Sequence, residues 1–299
     1  MTPIAIEQLS KFFRGKRGRQ VEALRSLSLT VKQSEVVGFL GPNGAGKSTT
    51  IKILMGQIPP SSGCAKLFGK EVGTSESRRD VGYLPENPSF YNFLTALEYL
   101  DLVGRSFGMT DSAIRRETDR VLELLALTDA AKRPIRGYSK GMVQRLGLAQ
   151  TLLHDPELYV LDEPMSGLDP VGRALVKELM LDLKRKGKTI FFSTHVIADV
   201  EAVCDRVAIV SQGELRAENT VKEIASIGIA GYTIQLEEIP PPGLARYLVG
   251  NSETQTNDIY VPREDFGPVM QEVEEAGCGV RLVEPQRKSL EDFFLEIIK

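Results

Sequence analysis

The pattern of apolar positions changes character three times along the chain. Ile4–Leu9 alternates as a half-buried strand does, and Val21–Val31 repeats that pattern after a polar turn. The two stretches read as N-terminal antiparallel strands. Val36-Val37-Gly38-Phe39-Leu40 is a short apolar run closing on glycines, the pattern of a strand buried on both faces. Residues 47–56 then read as a helix. Leu158–Leu161 is a second buried run, followed by a turn and a helix from about Val171 to Lys186, and Thr189–Ser193 is a third. Strands alternating with helices predict an α/β fold with a mostly parallel sheet covered on both faces.

The stretch from about 94 to 153 breaks this alternation and reads as a helical insert. Val121, Leu124, Leu125 and Leu127 recur at helical spacing within it. After Glu218 the pattern changes again. Tyr232–Leu236 and Ile259–Val261 read as short strands, and Ile239-Pro-Pro-Pro-Gly243 as a rigid loop. Phe266, Val269, Met270 and Val273 mark one helix face, and Leu290, Phe293, Phe294 and Ile297 another. Ser289 with Asp292 is placed to cap that last helix. These segments predict a small C-terminal α/β domain of βαβ type. The expected division is therefore 1–219 and 220–299.

Charge sharpens that boundary. The 299 residues carry a net charge of −3, yet residues 220–299 hold 14 Asp/Glu against 7 Lys/Arg, which leaves +4 on the rest. An acidic tail unit argues against nucleic acid as its partner. The small basic cluster Lys16, Arg17, Arg19 reads as a solvated turn between strands. Hydrophobic residues at 42% and charged residues at 26% are ordinary for a globular chain. The sequence lacks an apolar run of about 18 residues, the length of a membrane-spanning helix. The N-terminus reads as an early strand, not a signal peptide. The three scattered cysteines, Cys64, Cys204 and Cys278, suggest neither a disulfide framework nor a zinc site, as expected in a reducing cytosol.

The chemistry concentrates at strand ends. Gly41-Pro42-Asn43-Gly44-Ala45-Gly46-Lys47-Ser48 fits the phosphate-loop pattern G-x-x-x-x-G-K-S, and it sits between a predicted strand and a predicted helix. Glycines let the backbone turn its N–H groups onto phosphate, and the helix N-terminus adds partial positive charge. Lys47 is expected to reach the β- and γ-phosphates, Ser48 to hold Mg²⁺, and Thr49 to contact the α-phosphate. Leu158–Leu161 delivers Asp162 and Glu163 at its C-terminal edge, where ligands bind in open α/β sheets. Asp162 suits Mg²⁺, and Glu163 suits the polarisation of an attacking water. His195, one of two histidines, follows another strand; it reads either as a γ-phosphate contact or as a cap for the next helix. His154 reads as structural.

Between these motifs, Tyr138-Ser139-Lys140-Gly141-Met142 with Gln144-Arg145 resembles the Leu-Ser-Gly-Gly-Gln signature of ABC-type ATPases. Ser166-Gly167-Leu168-Asp169 resembles their D-loop, and Gly82-Tyr83-Leu84-Pro85-Glu86 their Q-loop. Phe13 resembles the A-loop aromatic that stacks on adenine, with Phe12 the second choice, and His195 matches their switch histidine. The motifs run in the family's order over residues 1–219. The resemblance implies an ATPase that uses ATP and Mg²⁺, with two nucleotide-binding domains packed head to tail. Ser139 and Gly141 would contact the γ-phosphate of the partner copy's ATP, and Asp169 would cross the interface. Two departures stand out. Glu86 occupies the usual glutamine position and is expected near Mg²⁺, while Lys140 and Met142 replace glycine and glutamine. Both look like those of export-type subunits encoded apart from their membrane partners, and the tail from Val283 to Leu295 resembles the tail domain of that group.

The resemblance implies a homodimer bound to an integral membrane permease, peripheral on the cytoplasmic face of the membrane, powering export. The aromatic stretch Phe90–Leu94 is a candidate contact for the permease, or else packing between subdomains. A soluble ABC ATPase acting on ribosomes or DNA is the alternative; the chain lacks a second cassette, a coiled-coil insert and a strong basic surface. A non-hydrolysing regulator conflicts with the intact Glu163. A kinase or GTPase leaves the signature segment unexplained.

Overall fold

The computed structural model describes residues 2–14, 20–226, 229–249, 257–287, 290–291, 294 and 297. The basic cluster Lys16, Arg17, Arg19 and the capping pair Ser289 and Asp292, together with Phe293, lie outside these residues. In chain order the elements are β1 (Ile4–Arg14), β2 (Gln20–Val31), β3 (Val36–Leu40), α1 (Lys47–Leu54), β4 (Ser62–Leu67), β5 (Lys70–Glu71), β6 (Val81–Leu84), α2 (Ala96–Ser106), α3 (Asp111–Leu124) and α4 (Lys140–Leu152). They continue with β7 (Leu158–Asp162), α5 (Pro170–Arg185), β8 (Thr189–Thr194), α6 (Ile197–Val203), β9 (Arg206–Ser211), β10 (Glu214–Thr220), α7 (Val221–Ser226), β11 (Ile229–Leu236), β12 (Asp258–Pro262), α8 (Phe266–Glu275) and β13 (Val280–Arg287). The chain divides into two compact units, with the boundary between Asn219 and Thr220.

In the first unit β1 pairs antiparallel with both β2 and β4, in a four-stranded sheet of order β2-β1-β4-β5. A second, six-stranded sheet has the order β10-β9-β3-β8-β7-β6. Its central pairings β3–β8, β3–β9, β7–β8 and β6–β7 are all parallel. Every residue of β3, β7, β8 and β9 is buried, as strands covered on both faces require. One apolar core joins the two sheets and α1, running from Ile4 and Leu29 through Phe39 and Ile51 to Phe191 and Val210.

Register decides what meets at the top of this sheet. Leu40 lies beside Thr194, Asp162 beside Ser193, and Leu84 beside Leu161. Four strands therefore end level, and the loops after them converge on one edge.

The insert holds α2, α3 and α4, each opened by a hydroxyl cap. Thr95 and Glu98 form a reciprocal capping box on α2, Thr110 accepts from Ala113 N–H on α3, and Ser139 accepts from Met142 N–H on α4. The reading of Val121, Leu124, Leu125 and Leu127 as residues at helical spacing is corrected: they do not all lie on one helix. The helix stops at Leu124, whose side chain is exposed, because Ala126 takes a left-handed backbone (φ 50°) and turns the chain. Leu125 and Leu127 are buried from that turn instead.

The second unit has an antiparallel three-stranded sheet of order β12-β11-β13. The predicted βαβ unit is thus split: β12–α8–β13 is the crossover, and β11 sits between its strands. Val269 and Val273 on α8 pack with Ile234, Leu236, Ile259 and Val261, and Phe266 and Met270 flank them. The Ile239–Gly243 loop leaves Ile239 exposed, and a 3₁₀ turn over Pro242–Tyr247 follows it, burying Leu244.

Candidate functional site

A cavity of about 280 Å³ opens where the parallel strands end, lined by Ala23, Asn43, Gly44, Gly46, Lys47, Ser48, Thr49, Glu86 and Glu163. It joins three separate loops: the one after β3, the one after β6 and the one after β7.

The phosphate loop takes its shape from backbone that only glycine tolerates. Gly46 caps α1 at φ 109°, and a Cβ there would lie 2.8 Å from Ala23 O. A Cβ on Gly41 would lie 2.3 Å from Val210 O. Ala45 N–H donates to Pro42 O (3.2 Å), closing the loop. Lys47 is buried; its Nζ donates to Gly41 O (2.7 Å) and Pro42 O (3.2 Å) and stands 3.7 Å from Glu163 Oε1. Burial pushes the Lys47 pKa below its ordinary value, against the pull of Glu163 and Asp162. A cation so poorly hydrated has a strong tendency to pair with an anion.

Asp162 ends β7 and is buried. Its Oδ1 accepts from Ser48 Oγ (3.2 Å) and Ser193 Oγ (2.6 Å). Glu163 follows with a left-handed backbone, φ 48°. That conformation is uncommon for a residue with a side chain. It turns the carboxylate into the cavity, where His195 Nδ1 lies 3.0 and 3.1 Å from the two oxygens. His195 follows β8; the next helix, α6, has Val196 at its N-cap and no side-chain cap, and Thr194 Oγ1 accepts from Val196 N–H (3.0 Å). The His195 ring faces the Glu163 carboxylate.

Ser48, Asp162 and Glu86 supply oxygen donors only, the set a hard divalent cation such as Mg²⁺ takes. The Ser48–Asp162 contact shows that two of them already converge, and Glu86 lines the same cavity. The residues fit the ion.

The signature and D-loop segments meet each other. Ser139 caps α4, and Asp169 caps α5 by accepting from Gly172 N–H (2.8 Å). A Cβ on Gly141 would touch Leu168 at 3.6 Å, and Lys140 lies against Gly167. None of Ser139, Gly141 or Asp169 lines the phosphate-loop cavity, and neither does Phe13. Phe13 stands half-exposed at the end of β1, with Lys11 Nζ 5.3 Å from its ring centre.

Two residues of the site escaped sequence reasoning. Ser193 bonds both Asp162 and the backbone of Glu163, a role set by the pairing of β7 with β8 and carrying no local sequence signal. Gln144 stands in the signature segment but had no role there; its Nε2 donates to Glu163 O (3.3 Å) and Pro164 O (3.2 Å).

The aromatic stretch divides. Phe90 packs edge-on to Tyr99 at 4.8 Å, whereas Tyr91 and Phe93 are exposed. A larger cleft of about 920 Å³ separates α2 and the end of α4 from the core, lined by Met55, Arg78, Arg79, Tyr83, Val103, Phe107 and His154 among others. His154 is half-buried and stacks on Phe107 at 3.7 Å.

A family model described as ABC transporter matches residues 24–166. Over its whole length the chain is 42% identical to the uncharacterized ABC transporter ATP-binding protein sll0415 of Synechocystis, covering 89% of it. Over 80% of its length it is 37% identical to the linearmycin resistance ATP-binding protein LnrL of Bacillus subtilis, covering 77%. A solved ATP-binding subunit of an ABC transporter is 32% identical and superposes with a TM-score of 0.68, over 75% of this chain and 92% of that one.

Proposed function

The chain belongs to the ABC transporter ATP-binding proteins and is an ATPase, and from that premise we propose that it powers export as a head-to-tail pair of copies bound to an integral membrane permease. The observation that carries the hydrolytic step is the placement of the Glu163 carboxylate in the phosphate-loop cavity, held between Lys47 and His195.

The roles follow from position. The loop from Gly41 to Gly46 cradles the phosphates, and Thr49 stands at the α-phosphate. Lys47 gives up its two carbonyl bonds to the β- and γ-phosphates, where charge grows as the bond breaks. Glu163 orients the attacking water and takes its proton as the new P–O bond forms at the γ-phosphorus. The bond to the β-phosphate oxygen breaks, leaving ADP and phosphate. His195 holds Glu163 in place and reaches the γ-phosphate. Ser48, Asp162 and Glu86 would hold Mg²⁺, which would supply positive charge to offset that of the phosphates. Phe13 stacks on the adenine.

One chain carries one phosphate loop and one signature segment, and the latter lies away from its own cavity. A second copy brings Ser139, Gly141 and Asp169 to the γ-phosphate. ATP then binds the two copies together and hydrolysis releases them, a ligand-driven two-state switch. The relative named for linearmycin resistance supports the export direction. Among the described residues no helix is long and apolar enough to cross a membrane, so the spanning part falls to the permease. The proposed location is the cytoplasmic face, with the 920 Å³ cleft and the exposed Tyr91 and Phe93 as the permease contact.

Two measurements test the reading. The purified Glu163→Gln chain with saturating Mg-ATP is expected to elute as a dimer and the ADP form as a monomer; a monomer in both sinks the head-to-tail model. Affinity purification from detergent-solubilised membranes is expected to recover a multi-spanning protein in about equal amount. Recovery of ribosomal or DNA-bound proteins in its place overturns the transport reading and leaves the ATPase standing.

A further inference from the structure

The backbone of Glu163 is held from three sides, and one of them is the signature helix. Its N–H donates to Ser193 Oγ (2.9 Å), a fully buried hydroxyl that donates in turn to Asp162 Oδ1. Its carbonyl accepts from Ser166 N–H (3.0 Å) and from Gln144 Nε2 (3.3 Å). The same Gln144 nitrogen also reaches Pro164 O (3.2 Å), so one side-chain amide spans two successive peptide units of the turn. Gln144 is 3% exposed and sits on α4, within about a turn and a half of Ser139 and Gly141. A left-handed backbone at a non-glycine residue persists only where its surroundings over-determine it, and these bonds do so at Glu163. Without the amide, Pro164 O would lose a buried donor and the turn could relax, swinging the carboxylate away from the attacking water. Displacements near 1 Å at a reacting group are enough to cost large factors in rate.

We propose that Gln144 is a positioning residue that ties the signature helix to the catalytic carboxylate of its own chain. Resting on the head-to-tail reading above, this gives α4 two ends of one lever. Its N-terminal end engages the ATP held mainly by the partner copy, and its body fixes Glu163 over the ATP held by its own phosphate loop. Seating α4 on one nucleotide thereby sets the base at the other. The consequence is a link between the two sites that passes through the interior of each chain.

The test separates kcat from KM. In the purified full chain, Gln144→Met keeps the length and burial of the side chain and deletes the donor. Turnover of Mg-ATP is expected to fall about tenfold, the effect of one well-placed hydrogen bond to a buried acceptor, with KM for ATP and affinity for a fluorescent ADP analogue within twofold. Retained turnover in a folded variant overturns the proposal, and so does a parallel loss of turnover and nucleotide affinity. A second variant guards against misfolding. In Gln144→Glu the buried carboxyl faces two carbonyl oxygens; as the neutral acid it donates a bond, and as the anion it repels them. Relative to wild type, its kcat is expected to fall as pH rises through the range where that carboxyl ionises. A pH profile parallel to wild type counts against the positioning role. Dimerisation of Gln144→Met in the Glu163→Gln background is read separately. Failure of Glu163→Gln itself to dimerise condemns the head-to-tail reading, whereas the kcat and KM split decides Gln144 in either case.

Discussion

His195 Nδ1 lies 3.0 and 3.1 Å from the two carboxylate oxygens of Glu163, so the imidazole straddles the acid instead of meeting one oxygen. This geometry fixes the plane of the carboxylate as well as its distance. The imidazole is half-exposed and the carboxylate is nearly buried. His195→Ala is therefore expected to leave the fold intact and the carboxylate free to rotate. A positioned general base contributes about 10²–10⁴ in rate, and a carboxylate free to rotate forfeits much of that. Phosphate release is expected to drop by roughly a hundredfold or more, while a fluorescent ATP analogue binds within a few-fold of wild type. Equal losses in both readings would show that His195 acts in nucleotide binding alone.

Lys47 offers a cleaner binding prediction. Its Nζ is committed to Gly41 O and Pro42 O and is near Glu163, all within the phosphate loop or at its rim. Lys47→Met removes a charge-assisted contact worth roughly 1.5–3 kcal/mol. Isothermal titration with ATP is expected to show affinity lower by roughly ten- to a hundredfold. Unchanged affinity would place the triphosphate elsewhere.

The residues of the site differ in how far the sequence exposed them. The phosphate loop was legible because glycine spacing and the following lysine are local, and local backbone geometry forces them. Asp162 and Glu163 were legible because a buried strand announces its own end. Ser193 and Gln144 were not, because their roles depend on which strands lie side by side and on which helix body passes under the turn. The insert shows the same limit. Its helices were visible from spacing, but the left-handed Ala126 that ends α3 at Leu124 leaves no apolar signature. In the second unit the two strands and the helix were each readable. The insertion of β11 between β12 and β13 was not, since pairing is a long-range choice.

Stability should respond to acid through Glu35. Burial alone would raise its pKa, but Arg206 and the Lys32 N–H outweigh that and hold it below its ordinary value of 4.5. Arg206 Nε and Nη2 each lie 2.7 Å from a Glu35 oxygen, Nη2 donates to Thr30 O, and Nη1 pairs with Glu218. With the folded pKa below the unfolded one, this contribution is complete above about pH 4.5 and is lost as pH falls through the folded value. Arg206→Met strands a partly buried carboxylate, at a cost of about 3–5 kcal/mol near neutral pH. Urea midpoints measured across the acid range are expected to converge for the two proteins as Glu35 protonates. A gap independent of pH would mean that Arg206 acts by packing.

Phe93 presents the sharpest separation of stability from assembly. Its side chain is 74% exposed and Tyr91 beside it 60%, with ring centres 5.9 Å apart. Phe90, two residues after Pro88, turns inward against Tyr99, whose hydroxyl pairs with Gln150 on α4. The stretch therefore has one aromatic that holds the insert together and two that face outward. Exposed side chains of this size add little to folding, so Phe93→Asp is expected to move the thermal midpoint negligibly and to leave ATP turnover of the isolated chain within twofold. The same charge placed in an apolar protein contact costs several kcal/mol. Co-purification with the permease in detergent is expected to fall sharply for Phe93→Asp. Phe90→Ala is expected to lower the thermal midpoint first. Undiminished co-purification of Phe93→Asp would move the permease contact from this pair to the cleft lined by Arg78, Tyr83 and Phe107.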